Sequence, residues 1–186
     1  MNTAYYLINT LCDLYLMVIL LRIWLQLARA DFYNPVSQFV LKATNPVLTP
    51  LRRFIPGFFG IDMAAVALAV LVVALKLGLL YALHIINAEA ASWFEWVLLI
   101  VLTIVKKIGT MLFWVLIIRA LLSWVSQGNN PVEYLMFQLT EPLLAPIRRI
   151  IPAMGGIDLS MLVFFIILQV LNFLMSDIFG SLWLGL

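Results

Sequence analysis

Residues 45–62 read NPVLTPLRRFIPGFFGID, and residues 141–158 read EPLLAPIRRIIPAMGGID. Aligned from Pro46 and Pro142, ten of seventeen positions are identical. They include Pro46/Pro142, Pro50/Pro146, Arg52-Arg53/Arg148-Arg149, Pro56/Pro152 and Gly60-Ile61-Asp62/Gly156-Ile157-Asp158. A proline-bracketed double arginine written twice points to an internal duplication, and each copy is flanked by long apolar stretches. The nature of those stretches decides the fold class.

Hydrophobic residues make up 65% of the 186 and charged residues 11%, with a mean hydropathy of +1.11. Such a chain has too little polar surface to coat a water-soluble globule. Crossing about 30 Å of hydrocarbon takes about 20 apolar residues. Stretches at about 4–27, 63–86 and 158–179 reach that length, and a fourth lies within 93–126. The expectation is an all-α membrane protein with four transmembrane helices. No basic residue precedes Arg22 and no small-residue cleavage site follows, so the first run is expected to remain a span rather than a cleaved signal. A single cysteine, Cys12, excludes an intramolecular disulfide and reads as a small packing residue.

Charge placement predicts orientation. Six of the eleven Lys/Arg residues lie in two loops: Arg29, Lys42, Arg52 and Arg53, then Arg148 and Arg149. Residues 1–13 and the linker 84–95 hold none. The positive-inside rule then puts both Arg-Arg loops in the cytoplasm and both termini outside. Tyr5, Tyr6, Tyr81, Trp93, Trp96 and Trp183 would form the outer aromatic belt, and Trp24, Tyr33 and Trp124 the inner one. Two repeats with an even number of spans share one orientation, related by a pseudo-two-fold along the membrane normal. The first repeat covers 1–86 with its cytoplasmic loop at 28–61, and a linker covers 87–92. The second covers 93–186 with its loop at 126–157. The spacing Arg22/Arg119 exceeds that of Pro35/Pro131 by one, which places a one-residue deletion near 126–130.

Each loop carries its own structure. Asn34-Pro35 and Asn130-Pro131 read as an N-cap followed by proline at the first helical position. A helix of about ten residues is expected from there to Pro46 or Pro142, where proline pushes the preceding residue out of the helical region. Its apolar positions, Val36, Phe39, Val40 and Ala43 or Val132, Leu135, Met136 and Leu139, fall at helical spacing. Such amphipathic cytoplasmic helices would lie in the headgroup plane. Pro50 and Pro146 would open a following turn that Pro56 and Pro152 stop. Gly60 and Gly156 would supply a bend, and Asp62 and Asp158 would cap the next span. Arg52, Arg53, Arg148 and Arg149, with Lys42, would then sit at the inner headgroup level, where arginine pairs phosphate bidentately. Pure topology control by the arginines is the plainer alternative.

At these residues the chain resembles the YggT family of small bacterial membrane proteins, called YlmG in Gram-positive bacteria and plastids. The pattern P-x3-P-[LI]-R-R-x-I-P-x3-G-I-D carries the resemblance, which covers essentially the whole chain in its form with two YGGT repeats. The resemblance implies a multi-pass protein of the bacterial inner membrane, in which the termini that charge placement puts outside would be periplasmic. It links the chain to cell division and envelope or plastid-nucleoid organisation, to osmotic and potassium tolerance, and in plastids to cytochrome haem maturation. It implies no catalytic residue.

Charged groups inside spans cost roughly 2.5–3.5 kcal/mol each at mid-bilayer on insertion scales, so each is a candidate functional group. Arg22 and Arg119 lie within about two turns of the cytoplasmic ends and can snorkel. Counting about 1.5 Å per residue, Asp13, Lys76, Lys106 and Asp177 sit about 21–28 Å above those ends. Asp13 is expected to pair with Lys76, and Asp177 with Lys106 or Lys107. Snorkelling to headgroups and a permeation site are the alternatives. The third helix is expected to run unbroken over 93–125, with a break at Lys106-Lys107 as the alternative.

His84 is the only histidine, and no Cys-x-x-Cys-His, glycine-rich phosphate loop or paired carboxylates with a His or Ser partner occur. We expect no enzyme, no catalytic or metal site, no cofactor, no nucleic-acid partner and no small-molecule substrate. The expected function is that of an organising or interaction protein whose partners are anionic lipid headgroups and a membrane protein or further copies of itself. An oligomeric channel or ion-transport component is the alternative.

Overall fold

The structure, a computed structural model, describes residues 3–58, 60–85, 92–125, 130–151 and 159–186, with backbone alone at 124 and 125. Every regular element among the described residues is a helix: α1 (Thr3–Leu27), α2 (Pro35–Leu51), α3 (Met63–Ala82), α4 (Trp93–Val125), α5 (Pro131–Ile150), α6 (Ser160–Phe179) and α7 (Ser181–Leu184). In hydrocarbon every backbone N–H and C=O must be satisfied within the segment, which helices do. Four of them, α1, α3, α4 over Trp93–Ser123 and α6, are long and apolar enough to cross a membrane. They make this a multi-pass architecture consistent with an inner-membrane protein.

The third long helix is unbroken. Over 33 residues α4 extends about 50 Å at 1.5 Å per residue. Lys106 and Lys107 do not interrupt it, because lysine is a good helix former and Lys107 finds the Asp13 carboxylate of α1.

The prolines do not end the loop helices. α2 continues through Pro46 and Pro50, and α5 through Pro142 and Pro146, so the expected helices of about ten residues are 17 and 20 residues long. Each proline removes one backbone donor. Placed four apart, the two fall on one face, and all four prolines are exposed. The opposite face of α2 buries Ser37, Val40, Thr44 and Leu48, and that of α5 buries Leu135, Met136, Leu139, Thr140 and Leu144. Packing of those stripes outweighs local propensity. The stripe on α2 also differs from the expected one: Phe39 is exposed and Ser37 is buried.

The helix starts follow the local sequence. Asn34 Oδ1 accepts from Val36 N at 3.0 Å and Asn130 Oδ1 from Val132 N at 2.9 Å, each capping a helix whose first residue is proline. Before α3, Phe58 and Ile61 exchange backbone hydrogen bonds of 3.1 and 3.0 Å around Gly60. Gly60 has φ +78°, a conformation glycine adopts without steric cost. Pro152, Gly156, Asp158 and the linker 86–91 lie outside the described residues.

The chain forms two compact units, one of Met1–Ile23, Val40–Ile108 and Leu186, the other of Trp24–Phe39 and Gly109–Gly185. These units are not the two sequence repeats. Within the second, Asn34 Nδ2 of the first loop donates to the Pro131 carbonyl at 2.6 Å, and Asp31 N donates to Gln138 Oε1 at 3.1 Å. The segment up to Gly185 also belongs there: Gly180 turns back at φ +54°, and the Trp183 indole donates to Asn172 Oδ1 at 3.0 Å. Trp183 is therefore buried on α6 instead of standing in an exposed aromatic belt. In the first unit, Tyr81 and Trp96 meet edge to face at 5.8 Å.

Candidate functional site

Arg22 stands near the end of α1 and is buried, not snorkelling. Its Nη1 donates to the Thr44 hydroxyl and, at 2.8 Å, to Asn45 Oδ1. Thr44 in turn donates to the Val40 carbonyl at 2.7 Å, so the hydroxyl uses its proton within α2 and its lone pair on Arg22. Arg22 Nε also lies 3.9 Å from Asp62 Oδ2. That same carboxylate oxygen is held by Arg52, through Nε at 3.1 Å and through Nη2. Asp62 occupies the residue before α3, yet its side chain makes no capping hydrogen bond. Two guanidiniums outcompete the backbone amides for it, since charge-assisted bonds are roughly twice as strong as neutral ones.

In the second repeat, where Asp158 lies outside the described residues, the corresponding cluster includes Glu141. Arg119 is buried, donates to the Thr140 hydroxyl, and reaches Glu141 Oε2 at 3.3 Å. Thr140 donates to the Met136 carbonyl at 2.7 Å, as Thr44 does to Val40. Arg148 Nη1 bonds both oxygens of Glu141, at 2.7 and 3.0 Å. The Arg119 guanidinium also lies 5.0 Å from the centroid of the Phe137 ring, within cation–π range.

The repeated double arginines thus divide. Arg52 and Arg148, the first of each pair, fold back onto Asp62 and Glu141. Arg53 and Arg149, the second of each pair, are exposed, as is Lys42, and among the described residues none of the three has an ion-pair partner. In the second repeat both arginines lie in α5, where neighbouring residues sit about 100° apart around the axis and cannot face the same way; in the first, Arg52 and Arg53 follow the end of α2 at Leu51, in a turn.

A third cluster lies within the spans. Asp13 on α1 takes Lys76 of α3 on one oxygen at 2.8 Å and Lys107 of α4 on the other at 2.6 Å. The side chains of Asp13, Lys76 and Lys107 are 14%, 6% and 17% exposed, so one carboxylate offsets two largely buried ammoniums. Lys107 therefore serves Asp13, not Asp177, and Asp177 is exposed on α6. Counting the rise along each helix places Lys76 and Lys107 at nearly the height of Asp13, but it says nothing about which flank of α1 each approaches.

Sequence reasoning missed Thr44, Thr140 and Glu141. The threonines carried a readable signal: they repeat 96 residues apart, as the prolines do, and lie near Arg22 and Arg119, which also repeat. Glu141 carried none, since Asn45 holds its place in the first repeat. Among the described residues no group of three or more His, Cys, Asp or Glu side chains could hold a metal ion.

The family profile described as CCB3/YggT matches residues 1–83 and 98–179. An uncharacterised Vibrio alginolyticus protein encoded in the proC 3' region is 56% identical over 186 residues, covering all of both chains. The Escherichia coli K12 protein YggT is 44% identical over 178 residues, 96% of this chain and 92% of its own. An uncharacterised Pseudomonas aeruginosa protein is 43% identical over 181 residues, 95% of this chain and 90% of its own. No solved structure matches the chain.

Proposed function

Because this chain belongs to the CCB3/YggT family and is a non-catalytic membrane protein, we propose that it works by contact. In this reading it is an inner-membrane organising protein that presents Arg53 and Arg149, with Lys42, to anionic lipid or a membrane partner at the cytoplasmic interface. The roles linked to it are envelope or cell-division organisation or osmotic tolerance.

One observation carries the reading: in both repeats the first arginine of the pair is bound to a carboxylate while the second is exposed. An arginine serving only to fix the chain in place would be as useful folded inward. Two outward guanidiniums, Arg149 on α5 and Arg53 in the turn after α2, are placed for phosphate, which they can grip bidentately.

The test is Arg53→Gln with Arg149→Gln. Each basic residue near an anionic surface contributes about 1 kcal/mol, so the double variant should lose roughly thirtyfold in phosphatidylglycerol or cardiolipin retention. If retention of those lipids and crosslinking from the two loops in native membranes are both unchanged, the reading fails.

A further inference from the structure

We infer that α6 is a self-association helix, in which Gln169 pairs with Gln169 of a second copy of this chain across a two-fold axis in the membrane. The inference does not rest on the lipid-facing arginines.

Gln169 is the ninth residue after Ser160 and the tenth before Phe179. At 1.5 Å per residue it stands about 14 Å from either end of a span that crosses about 30 Å of hydrocarbon. It is exposed, and among the described residues no hydrogen bond to its amide forms. An unpaired amide at mid-bilayer loses the hydrogen bonds that water would supply. Membrane helices characteristically resolve such a residue by bonding it to another helix.

The internal repeat identifies the face. Carried without a gap from Asp62 and Asp158, the buried residues Val73, Lys76, Leu77 and Leu80 of α3 correspond to Gln169, Asn172, Phe173 and Ser176 of α6. In α3 this face is covered by the rest of the chain. In α6 no residue other than Ser160 is buried, and Gln169, Asn172 and Phe173 are exposed. One edge of the same face is engaged, with Phe165 edge-on to Phe113 of α4 at 5.3 Å and Asn172 accepting from Trp183 of α7 at 3.0 Å, which leaves Gln169 and Phe173 to be covered. Beside that edge, Ile166, Gln169, Phe173 and Ser176 follow one another at intervals of three, four and three, the seam spacing of two helices crossing at a shallow angle.

The chemistry of Gln169 selects the occupant. A primary amide carries both donors and an acceptor, so two copies satisfy each other reciprocally. An isologous two-fold contact requires that self-complementarity. No charge on this part of the face calls for a partner of opposite sign.

The experiment measures association of the purified full chain in phosphatidylcholine liposomes by energy transfer across a dilution series in lipid. Wild type should dimerise, Gln169→Leu should weaken the dimer roughly tenfold, and Gln169→Asn should retain most of it. Leucine suits a membrane helix, so the fold survives the substitution. In a Cys12→Ser background, Phe173→Cys should crosslink between copies while Leu171→Cys, on the opposite side of α6, should not. A wild-type chain that stays monomeric at every dilution would mean that another protein's helix covers this face, and would overturn the inference. So would a Gln169→Leu dimer as tight as wild type, or equal crosslinking at 171 and 173.

Discussion

Lys107 Nζ lies 2.6 Å from Asp13 Oδ2, and the other oxygen of the same carboxylate is taken by Lys76 at 2.8 Å. One acid on α1 therefore ties α3 and the first half of α4 to it, with one positive charge in excess. Removing the acid and removing one base have unequal consequences. Asp13→Asn leaves two ammoniums facing each other, whereas Lys76→Gln or Lys107→Gln leaves a neutral pair. Asp13→Asn should destabilise the chain by about 3–5 kcal/mol, and each lysine variant by much less, measured by unfolding in mild detergent. Adding Lys76→Gln to Asp13→Asn should recover part of the loss. Simple additivity in that double-mutant cycle would show that the charges do not act on one another.

The hydroxyls of Thr44 and Thr140 are the acceptors of buried guanidiniums. Thr44→Val and Thr140→Val keep shape but leave a buried donor unsatisfied, which costs about 1–3 kcal/mol. Thr→Ser at either site keeps the acceptor and should restore most of the stability. A valine variant as heat-stable as wild type would show that Arg22 or Arg119 finds water instead.

Adjacent arginines should behave differently. Arg52→Gln deprives the buried Asp62 carboxylate of its main partner and should cost about 1 kcal/mol, a figure held down by the exposure of Arg52, whose side chain is 46% accessible. Arg53→Gln should leave thermal stability unchanged within about 0.5 kcal/mol. Equal melting temperatures for the two variants would contradict the division of roles.

Pro46 and Pro50 lie inside a continuing helix, on its exposed face. Alanine at Pro46 restores a backbone donor and relieves a penalty of up to about 3 kcal/mol. The unfolded chain gains freedom at the same time, which offsets part of this. The expected outcome is a folded protein of equal or higher stability with undiminished helical circular dichroism. Collapse of the fold would mean that a proline-shaped bend holds α2 in place.

Much of this architecture was legible in residue order. Hydropathy and length locate α1, α3 and α6 because lipid solvation acts on every residue of a span additively. Asn34-Pro35 and Asn130-Pro131 announce helix starts because capping is local chemistry between residues two apart. The fate of Pro46 and Pro142 was not legible: their local preference is to end a helix, and the buried stripes of Val40, Thr44 and Leu48 or Met136, Thr140 and Leu144 override it.

Ion-pair partners divide along the same line. That Asp13, Lys76 and Lys107 share a height follows from the rise of a helix, and the sequence alone supplies it. Which flank of α1 each lysine approaches depends on how the helices are rotated and packed. Only the tertiary structure decided that Asp13 takes both lysines, that Asp62 holds Arg52 and that Glu141 holds Arg148. A charge pair forms between groups that packing brings within about 4 Å, and no periodicity along a single helix encodes its neighbour's azimuth.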